Sequence, residues 1–101
     1  MLTHDRRKGT MTVQLSGELD HNTAAQIREE LDELIEDPQI NRLVFDLSGL
    51  SFMDSSGIGM MIGRYKTMMK RGGSIAVRTG NSQVDRLMEL SGLYQIIEKL
   101  A

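Results

Sequence analysis

Residues 42–79 read RLVFDLSGLSFMDSSGIGMMIGRYKTMMKRGGSIAVRT. The fold turns on how this stretch is parsed. Arg42–Leu47, RLVFDL, is a short apolar run bounded by Ser48-Gly49, the mark of a buried strand. A loop through Leu50, Ser51 and Phe52 then leads to Met53-Asp54-Ser55-Ser56-Gly57. Ile58, Met61, Ile62, Tyr65, Met68 and Met69 step by 3, 1, 3, 3 and 1, which is one face of a helix. Arg64, Lys66, Lys70 and Arg71 fall off that face, and Met60 is expected to be exposed. Gly72-Gly73 stops the helix, and its C-terminal cations suit the helix dipole. Ser74–Thr79, SIAVRT, is strand-like again. A strand, a helix and a strand in succession imply parallel pairing through a right-handed crossover.

Outward from there the alternation continues. Met11, Val13 and Leu15 alternate with Thr12, Gln14 and Ser16, a half-buried strand reaching Leu19. An Arg7-Lys8-Gly9 turn joins it to a short first strand near Leu2–Asp5. Thr23 and Gln26 have capping-box spacing, and Ala24, Ile27, Leu31, Leu34 and Ile35 recur at helical intervals until Pro38. Downstream, Gly80-Asn81-Ser82 turns into a helix marked by Val84, Leu87, Met88 and Leu90, with Gly92 as its stop. Leu93–Leu100 fits either a short strand or a docked turn. The order β-β-α-β-α-β-α predicts one α/β domain over residues 1–101, a small mixed sheet with helices packed against it. The loops after Leu19, Leu47 and Thr79 should leave one edge of the sheet. Asp20–Thr23, Asp54–Gly57 and Gly80–Ser82 are therefore expected to be neighbours.

Composition narrows the function. The chain of 101 residues has 12 basic and 14 acidic side chains, a net charge of −2, and no cysteine. Disulfide scaffolds, cysteine zinc sites and cysteine nucleophiles are excluded. The one basic cluster, Arg6-Arg7-Lys8, falls in the hairpin turn, and Phe45, Phe52, Tyr65 and Tyr94 are scattered. That pattern argues against nucleic acid. No run of apolar residues is long enough for a signal peptide or a membrane span, so a cytoplasmic protein is expected. The absence of heptads suits a monomer.

The chemistry concentrates in Asp54-Ser55-Ser56-Gly57-Ile58-Gly59. A serine at a helix start can cap orphan N–H groups, or it can carry a phosphate beside them. Gly57, Gly59 and Gly63 in one helix oppose helix propensity and imply close approach, by the sheet beneath or by a protein above. A hydrolase elbow, G-x-S-x-G, is not met. Met53 stands at the first glycine if Ser55 is the nucleophile, and Asp54 if it is Ser56. The histidines are His4 and His21, and neither supplies an evident base. No catalytic residue is assigned. Phosphate-loop and dinucleotide fingerprints are absent, and Asp20-His21 alone makes no metal site.

Gly17-Glu18-Leu19-Asp20-His21-Asn22-Thr23-Ala24, Leu50-Ser51-Phe52-Met53-Asp54-Ser55-Ser56-Gly57-Ile58-Gly59, Gly63-Arg64-Tyr65-Lys66 and Ser91-Gly92-Leu93 resemble the anti-sigma factor antagonists of the STAS domain family, sporulation type. The resemblance runs from about Met11 to about Ile97. It implies a binding module rather than an enzyme. Such a module binds an anti-sigma factor that is also an ATP-dependent serine kinase, which frees a sigma factor. The kinase then phosphorylates the antagonist and the complex dissociates, and a PP2C-like phosphatase reverses the modification. No cofactor is implied for the chain itself, because ATP belongs to the kinase. The resemblance carries the phosphorylated hydroxyl over to Ser55. It carries the partner-binding patch to Asp20, His21, Asn22, Thr23, Asp54, Ser56, Gly57 and Ile58. Family members commonly continue into a final helix, whereas this sequence stops at Ala101. The alternative within the same fold is a regulatory or scaffold subunit of a transport system.

Overall fold

A computed structural model describes residues 1–101. Its strands are β1 (Leu2–Arg7), β2 (Thr10–Leu19), β3 (Arg42–Met53), β4 (Ser74–Arg78) and β5 (Glu98–Lys99). Its helices are α1 (Ala24–Leu34), α2 (Ser55–Lys70) and α3 (Ser82–Leu90), with a short 3₁₀ turn at Leu93–Gln95. One sheet holds all five strands in sequence order, β1-β2-β3-β4-β5. The first pair is an antiparallel hairpin, and the other three pairs are parallel. The predicted order stands, and the open segment after Gly92 resolves into the 3₁₀ turn and a two-residue edge strand.

Each crossover moves to the next strand in the same direction. Right-handed connections then put all three helices on one face of the sheet. Burial agrees with this. Met11, Val13 and Leu15 of β2 and Leu43, Phe45 and Leu47 of β3 are buried under the helices, while Thr12, Gln14 and Asp46 on the alternate positions stay half-buried. Leu31, Ile35, Met61, Met68, Val84 and Met88 fill the space between the helices and the sheet.

Four expectations need correction. β3 does not end at Leu47 but runs on to Met53, so the loop on that side begins six residues later. Its register with β2 slips twice: Gln14 pairs with Asp46 and Ser16 with Gly49, then Gly17 with Leu50 and Glu18 with Phe52. At each slip β3 carries one residue more than β2, so buried positions fall at Leu47, Leu50 and Met53 rather than on every second residue. Met60 is buried, only 5% exposed, and so is Arg64, because α1 packs beside this face of α2. Leu90 is 73% exposed, since α3 is spent by its last turn. The Thr23–Gln26 capping box does not form: Thr23 makes no side-chain cap bond to the helix.

Candidate functional site at the carboxyl edge of the sheet

β2 and β3 end side by side, with Leu19 paired to Met53. The Asp54 N–H donates to the Leu19 carbonyl at 3.2 Å, which ties the two outgoing loops together. The loop after β2 is built by Asp20. Its Oδ1 accepts the N–H groups of Asn22 at 2.9 Å and Thr23 at 3.1 Å. The Thr23 hydroxyl donates to the Glu18 carbonyl and accepts from the Asp20 N–H. Asp20 and Thr23 thus use polar atoms to shape the loop, and His21 and Asn22 stand exposed at its tip.

The loop after β3 is a single residue. Asp54 is the N-cap of α2, and its Oδ1 accepts the Ser56 N–H at 2.8 Å. Because a carboxylate holds the cap, the Ser55 hydroxyl is not needed for it. Ser55 is the first helical residue and is exposed. Ser56 is half-buried, while Gly57 and Ile58 are buried. Of the expected contact patch, those two lie beneath the surface and support it. A Cβ on Gly57 would stand 2.6 Å from Met53 Cγ and 2.9 Å from Leu19 Cδ2. Only glycine lets the first turn of α2 sit directly on the strand ends. Gly59 and Gly63 differ, because nothing lies within 4 Å of a Cβ placed there. Sheet contact explains the first glycine and leaves the other two facing open space.

That space is a groove of about 400 Å³ between α1 and α2. Ala24, Ala25, Gly59 and Gly63 give it walls of small residues, and His21, Arg28 and Ser56 line it together with the buried Met60 and Arg64. Arg64 escaped the sequence reading because a single apolar stripe was assumed. Ser56, Met60 and Arg64 are spaced i, i+4, i+8, which is the signal of a second face turned toward a neighbouring helix. The third predicted loop does not join the first two directly. Gly80 packs on Ser48, and the Asn81 amide donates to the Leu50 carbonyl at 3.4 Å. That loop stands beside the extension of β3, not against Asp20 or Ser55.

No helix is long and apolar enough to cross a membrane. An exposed serine at a capped helix start can accept a phosphoryl group, and the loops beside it can present shape and charge to a protein.

The STAS domain family model matches residues 2–101. An anti-sigma F factor antagonist of Paenibacillus polymyxa is 44% identical over 93 residues, covering 92% of this chain and 80% of the relative. The unphosphorylated anti-sigma factor antagonist SpoIIAA is 26% identical and superposes with a TM-score of 0.86 over 100% of this chain and 89% of that one. Phosphorylated Bacillus SpoIIAA is 25% identical with a TM-score of 0.78, over 100% and 92%. By name these relatives are antagonists of anti-sigma factors. The chain belongs to the STAS domain family.

Proposed function

We propose that this chain is an anti-sigma factor antagonist: it binds an anti-sigma factor that is also a serine kinase, releases a sigma factor, and is switched off by phosphorylation of Ser55. The observation that carries the reading is the division of labour at the start of α2. Asp54 holds the cap, so the neighbouring Ser55 hydroxyl is exposed and has no structural duty. The chain supplies no cofactor or catalytic base. The partner kinase brings ATP, transfers the γ-phosphoryl group to Ser55 Oγ, takes up the hydroxyl proton and releases ADP. A PP2C-like phosphatase hydrolyses the ester and restores the hydroxyl.

The switch is electrostatic and local. A phosphoserine adds about −1.5 to −2 charges, roughly doubling a net charge of −2. The added charge lies beside the Asp54 carboxylate, on the face shared with Asp20, His21 and Asn22. The fold need not change, because the N–H groups and dipole of α2 tolerate an anion there. Binding is lost through repulsion and altered shape at a surface fitted to a neutral hydroxyl.

Incubation with the cognate kinase and ATP should add one phosphate, read by intact-mass spectrometry, and Ser55→Ala should abolish it. Undiminished phosphate on Ser55→Ala would overturn the site. Ser55→Glu should bind the kinase more weakly in calorimetry, and affinity equal to the unmodified chain would remove the electrostatic argument.

A further inference from the structure

Arg64 is the one charged side chain inside the molecule, 9% exposed. Its nearest anion is Asp32 on α1, with Oδ1 3.2 Å from Nε. The approach is off the N–H axis: Nε and Nη1 are both buried and neither has a hydrogen-bond partner. A buried guanidinium with its donors unmet is unfavourable unless something completes it. It lies at the groove between α1 and α2, whose lining carries His21, Arg28 and Arg64 and no acidic residue. The groove is also continuous with the proposed switch, since Ser56 lines it one residue after Ser55. Its walls are held open by glycines whose absent side chains would meet nothing. Within a helix such glycines oppose propensity, and no packing against the sheet accounts for them.

We propose that the α1–α2 groove receives an acidic side chain, Asp or Glu, of the protein that docks on the Ser55 face, with Arg64 as its receptor and Arg28 at the mouth. The inference rests on the reading that this face binds an anti-sigma factor. The occupant follows from charge complementarity, from the space that small wall residues leave for a side chain, and from continuity with the Ser55 surface. A carboxylate entering there adds a second anion beside the Arg64 guanidinium, which Asp32 meets only off axis, in a partly desolvated site where charge-assisted bonds are strong.

The test is calorimetry of the full chain with the anti-sigma factor of the same genome, at several salt concentrations, with a thermal melt of every variant. Arg28→Gln and Arg64→Gln should each bind about tenfold more weakly, the size of one lost charge-assisted hydrogen bond, with a shallower salt dependence. Gly59→Leu fills the groove from a helix position with free space. It should melt no lower than the unmodified chain and still bind more weakly, which a structural role for Gly59 would not produce. Arg28→Gln and Gly59→Leu both binding within about twofold of the unmodified chain would overturn the proposal. Weakening by Gly59→Leu with the salt dependence of all variants unchanged would overturn its acidic occupant. Failure of the unmodified chain to bind overturns the reading of the whole face, and the groove with it.

Discussion

At Asp54 one carboxylate oxygen closes the first turn of α2, and the bond to the Ser56 N–H is 2.8 Å long. Removing that acceptor leaves an orphan donor at the helix start. Asp54→Ala should therefore lower unfolding stability by about 1 kcal/mol in urea titration, and Asp54→Ser should recover most of it. The glycines of the same helix should separate by sign. Gly57→Ala drives a methyl into Met53 and Leu19 and should cost roughly 1–3 kcal/mol through overpacking. Gly63→Ala meets nothing within 4 Å and should gain about 1 kcal/mol of helix propensity. The two melts, run side by side, check the claim that only the first glycine is held by the sheet. Asp20 resembles Asp54 in kind: its Oδ1 is spent on the Asn22 and Thr23 N–H groups. Its effect on a partner therefore includes the loop it shapes as well as its charge.

Between elements, Arg71 does the most joining. As the C-cap of α2 it donates Nη1 to the carbonyls of Ile35 at 2.8 Å, Ile40 at 3.0 Å and Asp37 at 3.3 Å. These carbonyls belong to the link between α1 and β3. Arg71→Met keeps the stem and strands those acceptors, and should cost about 1–2 kcal/mol in chemical denaturation, given partial access of water to the site. The elements themselves were legible wherever the apolar period was clean, as in β2, α1 and the sheet-facing side of α2. Where two partners or an irregular register broke the period, the sequence misled. Met60 and Arg64 answer to α1 rather than to the sheet. Leu50 and Met53 sit three residues apart in a strand, a spacing that looks like a loop. Thr23 has the right offset from Gln26 for a capping box, but Asp20 and the Glu18 carbonyl claim its hydroxyl first. The candidate site was legible as residues and not as a groove, since the groove depends on how α1 lies against α2.

Across the whole molecule, two carboxylates tie chain segments far apart in sequence. Asp37 takes the Gln39 N–H and the Arg6 guanidinium, which lower its pKa, and so clips the first hairpin to the α1–β3 link. Asp85 is lowered by hydrogen bonds from the Tyr94 hydroxyl and then Lys99, with Thr79 adding to them, and so anchors the C-terminal segment to α3. A carboxyl lowered on folding stabilises the native state above its unfolded pKa of 3.8, and that contribution is lost as pH falls through the lower folded value. Tyr94 titrates in the opposite sense. Burial and the Asp85 carboxylate push it from 10.0 up to about 12, so its contribution is present below pH 10.0 and fades as pH rises toward about 12. Melting curves across pH should therefore show Asp85→Asn losing part of the acid limb and Tyr94→Phe losing part of the alkaline one. Matching limbs in wild type and both variants would refute the anchor.

The two slips in β3 have a consequence for gene length. Opposite ten residues of β2 the strand carries twelve, so it holds slack that its neighbour lacks. Removing Gly49 or Ser51 turns a three-residue step into an ordinary two-residue one and keeps Leu50 and Met53 pointing inward. Removing one residue between Leu43 and Leu47 has no such reserve and turns apolar side chains toward water. In a scan of single-codon deletions followed by thermal melting, survivors along β3 should cluster at the slips, at the end of the strand that carries the switch.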